Sequence, residues 1–207
     1  MAMDKSLYRQ VLGYFATGVV VLTTRGSTGL VGLTINSFCS VSLDPPLVLV
    51  CIDLNSHTLP GLHESGAFVV NILTEQQEHL SRCFAHPSEA RYEHFCYASY
   101  REVATGAPVI DGVLAFIDAR IVAEYPGGDH IIVLGEVQAL GVSDDILPVN
   151  GTEERPNSIQ LDGTPMIGTL PTPLLYYRGR YSHLALDQQH LHHTLHHEKE
   201  YSHAVKA

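Results

Sequence analysis

Five neutral hydrogen-bonding side chains fall within nine positions of the stretch LTINSFCSVSLDPPLVLVCID (33–53): Thr34, Asn36, Ser37, Ser40 and Ser42. Hydroxyls, an amide and strand-end backbone N–H groups can bind a phosphate or the polar edge of a flat ring without Lys or Arg. If 33–43 is one extended strand, alternate side chains face opposite ways. Thr34, Asn36, Phe38, Ser40 and Ser42 then share a face, and Ile35, Cys39, Val41 and Leu43 point to the core. On composition alone a solvent-facing strand is the plainer reading, but three other clusters favour a ligand. Ser56, His57 and Thr58 follow an apolar run, where the start of a helix would aim amides at an anion. LSRCFA (80–85) offers Ser81, Arg82 and Phe84, and GGDH (127–130) sets His130 at a hairpin tip. Asn71, inside the apolar VVNIL, reads instead as a structural group satisfying a buried strand end.

The elements that must position these groups follow from periodicity. Tyr8, Val11, Leu12 and Phe15 have the i, i+3, i+4, i+7 spacing of one helix face, which predicts a helix over 5–17 stopped by Gly18. VVVLTT (19–24) and LVGLTI (30–35), joined by RGSTG, read as a hairpin. PLVLVCID (46–53) and AFVVNIL (67–73) are near-continuous apolar runs, the signature of strands covered on both faces. Thr74 and Gln77 form a capping box for a helix ending near Ala85. Residues 112–142 read as two long strands around a Pro-Gly-Gly turn, and 174–184 regains strand character. The pattern is mainly β with peripheral helices, an antiparallel barrel or sandwich.

Composition narrows the function. The 207 residues suit one domain with a tail, expected as 1–186 with a long 143–172 loop and a His-rich 187–207 tail. Twelve Lys plus Arg and a formal charge of −10 exclude the basic footprint of a nucleic-acid binder and disfavour anionic membranes. No apolar run is long enough to span a bilayer, and MAMDKSLYRQVLGYF shows no signal-peptide apolar region, so a cytoplasmic protein is expected. Cys39, Cys51, Cys83 and Cys96 contain no C-x-x-C pair, and free buried thiols are expected. His192 with His196, and His193 with His197, have an i, i+4 spacing able to clamp a divalent ion, but no H-E-x-x-H order accompanies them.

FATGVVVLTT, GLTINSFCSVSLDPPLVLVCID, SHT, FVVNIL, LSRCFA, GDH and PLLYYRGRY occur in this order. Together they resemble the flavin reductase-like family, the reductase components of two-component flavin-dependent monooxygenases. The resemblance covers about residues 8–142 and 173–184. It implies a split β-barrel of the FMN-binding, Greek-key type, a homodimer, FMN or FAD as the flavin, and NADH, with NADPH possible, as the reductant. Reduced flavin would pass by diffusion to a monooxygenase partner. Carried over by position, Thr34, Ile35, Asn36, Ser37, Ser40, Val41 and Ser42 would hold the isoalloxazine edge and phosphate region, and Cys51, Ile52 and Asp53 would flank the ring. Ser56, His57 and Thr58 would meet the phosphates, and Ser81, Arg82, Phe84 and Ala85 the ribityl or nucleotide end. His130, the one expected catalytic residue, and Tyr181 would face the nicotinamide. Cys83 departs from the longer polar or basic residue that relatives often carry. Since the cofactors carry hydride chemistry themselves, a site without paired carboxylates is in keeping. Two competing expectations are a flavin-binding protein without turnover and a metal-binding module built on the tail.

Overall fold

The computed structural model describes residues 3–142 and 171–185. The 187–207 tail and all but the end of the 143–172 excursion lie outside the described residues. In chain order the elements are α1 (Lys5–Leu12), β1 (Thr17–Gly18), β2 (Val20–Gly26), β3 (Gly29–Ile35), β4 (Phe38–Leu43), β5 (Pro46–Asp53), α2 (Leu59–Ser65) and β6 (Ala67–Ile72). There follow α3 (Glu78–Ala85), α4 (Glu89–Tyr92), β7 (Tyr100–Glu102), β8 (Pro108–Ile110), β9 (Ala115–Gly127), β10 (His130–Val142), β11 (Leu175–Tyr177) and β12 (Arg180–Ser182).

Seven strands make one antiparallel sheet in the order β3-β2-β6-β9-β10-β5-β4. β3 and β4 stand at its opposite edges, yet only Asn36 and Ser37 join them. So short a link spans no more than about 10 Å, and the sheet must curl until its two edges adjoin. No ladder connects β3 to β4, so the barrel is split at that seam. The expected mainly β, split-barrel architecture with helices outside is what the chain forms.

Two apolar clusters fill it. One gathers Val21, Val69, Phe84, Phe116 and Leu174, the other Leu22, Val50, Ile52, Phe68 and Val133. β6 is buried on both faces, as its unbroken apolar run implies. Asn71 is structural: its Nδ2 donates to the Val21 carbonyl (3.0 Å) and Thr23 Oγ1 (2.9 Å), and its Oδ1 accepts from the Ile110 amide (2.8 Å). The Thr74–Gln77 capping box opens a short 3-10 turn that runs into α3.

Three expectations need correction. Residues 33–43 are not one strand: β3 ends at Ile35, and an irregularity between Ser40 and Ser42 breaks the alternation again. Ile35 and Phe38 therefore pack on the core, while Cys39, Val41 and Leu43 are exposed, Leu43 at 96%. The first helix stops at Leu12 with Gly13 as its cap, short of Phe15, and buries none of its residues. Lastly, Cys83 and Cys96 form a disulfide, leaving Cys39 and Cys51 as the free thiols. Spatial proximity decides such pairing, and a separation of 13 positions gives no local signal of it.

α1 is tied to the small β1-β11-β12 sheet. The Arg178 amide donates to the Gly13 carbonyl (2.7 Å). The Arg178 guanidinium lies 5.0 Å from the Tyr14 ring centre, and Tyr14 meets Tyr177 edge-on.

Candidate functional site

At the seam, groups from β3, α3 and β12 converge. Thr34 Oγ1 donates to the Ser81 carbonyl (2.7 Å), and Ser81 Oγ lies 2.8 Å from the Tyr181 hydroxyl. The Arg82 guanidinium sits 4.6 Å above the Tyr181 ring, and Glu78, one turn back on α3, accepts from Arg82 Nε at 2.7 Å. Tyr176 braces Tyr181 edge-on from β11. Asn36 Nδ2 donates to Thr17 Oγ1 (3.2 Å), which joins the β3–β4 link to the small sheet. Asn36, Arg82 and Ala85 are exposed, so this cluster faces an open surface.

A second group surrounds the end of β5. Ser37 Oγ donates to the Cys51 carbonyl (2.8 Å), and the Cys51 amide donates to the Ser37 carbonyl (3.2 Å), pinning the β3–β4 link onto β5. Burial pushes the Cys51 thiol above its ordinary pKa. Asp53 lies in register with His130, and the Leu54 amide donates to the Asp129 carbonyl (3.1 Å). The β9–β10 tip is thus docked beside the ring-flanking residues expected from the sequence. His130 Nδ1 lies 2.8 Å from Asp129 Oδ1. The hydrogen bond and charge of His130 hold the Asp129 carboxyl below the usual carboxylate range. Such a tether fixes the ring and leaves Nε2 as its other polar atom.

The third group contains a residue the sequence reading missed. Arg91 of α4 is 6% exposed. Its Nε donates to the Gly32 carbonyl (3.0 Å) and its Nη2 lies 3.5 Å from Thr58 Oγ1, which itself reaches the Gly32 carbonyl at 3.4 Å. Among the described residues no carboxylate pairs with Arg91, and burial lowers its pKa. A buried cation needs hydrogen bonds and a counter-charge. The partners here are a carbonyl, a hydroxyl and the Tyr92 ring, whose centre lies 5.2 Å from the guanidinium carbon. The helix that follows Thr58 does not supply the amides expected there: the Thr58 amide is held by Ser56 Oγ, the Leu59 amide by the Ser56 carbonyl, and Pro60 has none. A cavity of about 20 Å³ lies between His57, Thr58, Arg91 and Tyr92.

Several expected residues do not join these groups. Ile52 and Phe84 are fully buried; Phe84 packs edge-on against Phe95 at 5.1 Å. Ser40 and Val41 are exposed on the edge strand, and Ser42 Oγ accepts from the Asp44 amide (3.2 Å) in a local turn. A larger cavity of about 390 Å³, bounded by Gln77, Leu80, Tyr97 and Asp111 among others, contains none of the expected ligand-holding residues.

The structure thus combines a split barrel, neutral donors at its seam, a histidine on a docked hairpin tip and a buried arginine. The family model for the flavin reductase like domain matches residues 12–185, and the chain belongs to that family. It is 35% identical over 180 residues to the reductase subunit HsaB of a flavin-dependent monooxygenase from Mycobacterium tuberculosis, covering 87% of this chain and 82% of that protein. It is 40% identical over 130 residues to an FMN reductase (NADH) of Agrobacterium fabrum, covering 63% and 72%. Among solved structures it resembles the NADH:FAD oxidoreductase of Streptomyces globisporus in complex with NAD and FAD fragments. The TM-score is 0.70 at 32% identity, with 89% of this chain and 95% of that one covered.

Proposed function

We propose that this flavin reductase uses NADH to reduce FMN or FAD at the barrel seam and releases the reduced flavin to a flavin-dependent monooxygenase. Family membership and the relatives named above support the reaction class. The observation that carries the site is Arg91, a buried guanidinium with no carboxylate partner among the described residues, bonded to the Gly32 carbonyl and set beside Thr58. A flavin phosphate would supply the missing counter-charge.

Bound flavin offers N5 as the hydride acceptor and nicotinamide offers C4 as the donor. The chain's contribution is placement. Arg91 and Thr58 would hold the phosphate, while Thr34, Ser81 and Tyr181, already joined by hydrogen bonds, would set the polar edge. His130, tethered by Asp129, orients the nicotinamide. Rate then comes from holding the reacting atoms near contact distance, roughly 3–3.5 Å, and from excluding water. No acid–base pair is required.

Flavin sites are usually concave, whereas the seam cluster is open in a single chain. α1 also presents Leu7, Tyr8, Val11 and Leu12 to solvent, and the turn after it presents Phe15, at 77%. Both features support a homodimer in which a second copy helps enclose the flavin. No helix among the described residues is long and apolar enough to cross a membrane, and we place the protein's work in the cytoplasm. The His-rich tail considered for metal binding lies outside the described residues.

The deciding experiment is steady-state loss of nicotinamide absorbance from NADH and NADPH with FMN, FAD and riboflavin in turn. Flavin-dependent oxidation, faster with NADH, is the expected result. Tight flavin binding without oxidation would replace the reductase reading by that of a flavin-binding protein.

A further inference from the structure

Cys83, near the end of α3, and Cys96 are 13 positions apart, with Cα atoms 6.0 Å from each other. Between them the chain completes α3, turns, forms α4 and returns through Phe95. Arg91 lies inside that excursion, so the disulfide closes the segment that carries the buried guanidinium into a covalent ring. The return path is unfavourable on its own. Phe95, Cys96 and Tyr97 have φ of 49°, 54° and 55°, three successive non-glycine residues in the left-handed region. Such residues persist only where their surroundings over-determine them. Cys96, in the middle of the three, is the one covalently held. Phe95 is buried against Phe84 and Tyr100 and Ser88 caps α4, but α4 is a single turn of four residues, and Tyr92, Glu93 and His94 are exposed.

We propose that the Cys83–Cys96 disulfide is a redox switch on the affinity for phosphorylated flavin. This deepens the flavin reading above and rests on it. A dithiol reductant breaks the S–S bond. Two electrons and two protons pass to the cysteines, giving two thiols, and the dithiol closes to its own disulfide. Cys83 is half-buried and Cys96 buried, so attack falls on the Cys83 sulfur and Cys96 leaves first. Once the ring is open, the left-handed run is free to relax and α4 samples more positions. Arg91 must then be re-ordered each time a phosphate binds. Riboflavin, which has no phosphate, makes no use of Arg91 and is indifferent to the state of the bond.

The test titrates FMN and riboflavin into the oxidised protein, the protein reduced with dithiothreitol, and the reduced protein reoxidised, followed by flavin fluorescence. The expected result is FMN affinity weakened by about tenfold on reduction and restored on reoxidation, with riboflavin affinity changed by less than about twofold. The doubly substituted Cys83→Ser, Cys96→Ser protein, checked for native circular dichroism, should match the reduced state and ignore dithiothreitol. Equal FMN affinity in the oxidised and reduced wild type overturns the switch alone. So does a dithiothreitol effect that persists in the double variant, or four titratable thiols in the denatured, unreduced protein where only Cys39 and Cys51 should react. No FMN binding in either state overturns the flavin reading and the switch together.

Discussion

In the proposed mechanism Arg91 recognises charge and His130 places the reacting ring, and each role can be separated by substitution. Replacing Arg91 with Met keeps an unbranched apolar stem but removes the guanidinium. FMN affinity should fall by about 10- to 100-fold, the worth of one or two charge-assisted hydrogen bonds, with little change for riboflavin. Equal losses for both flavins in a binding titration would make Arg91 a packing residue. His130→Ala should raise KM for NADH or slow flavin reduction while FMN binding stays nearly intact. Asp129→Ala should do the same more weakly, because it frees the ring without removing it; unchanged kinetics in both variants would count against an orienting role. His130 was legible in the sequence because GDH sits on an unmistakable hairpin tip. Arg91 was not, because EARYEHF has no periodic or motif signal and the burial that gives the guanidinium meaning arises only when α4 packs on β3. The cysteine pair was hidden for the same reason, being a contact between elements and not a spacing within one.

The hairpins carry most of the architecture. The β2–β3 and β9–β10 pairs were readable from alternation and turn residues, as was the capping box leading into α3. What failed was the join between β3 and β4. Asn36 and Ser37 carry no glycine or proline, so the strand seemed to run on, and the face assigned to Cys39, Val41 and Leu43 came out reversed. Close approach of α3 to β3 sets another constraint. A Cβ built on Gly32 would lie 2.5 Å from Phe84 Cε1, and the Gly32 carbonyl is the group that Arg91 and Thr58 share. Gly32→Ala should therefore cost about 1–3 kcal/mol of stability by overpacking and also weaken FMN binding. Thermal melts with and without FMN check both parts; a variant with wild-type melting temperature and FMN affinity would show that Phe84 yields freely.

On the scale of the molecule, the apolar surface of α1 and the open seam call for a second copy. Light scattering should give twice the mass of one chain, and Val11→Asp with Phe15→Asp should shift the protein to monomer with loss of flavin affinity. A wild-type monomer with full activity would remove the homodimer from the account. The attachment of α1 gives that assembly a chemical meaning. Arg178 holds Gly13 and Tyr14 at the turn of the β11–β12 hairpin, and the same hairpin presents Tyr181, in its middle pair, to Ser81. In the proposed homodimer, a partner seated on α1 would favour the hairpin position in which Tyr181 meets Ser81 at the proposed flavin site. Linkage is reciprocal for binding free energies: whatever factor association adds to flavin affinity, flavin must add to association. If the proposed dimer forms, release of reduced flavin and loosening of the subunits would be two views of one equilibrium.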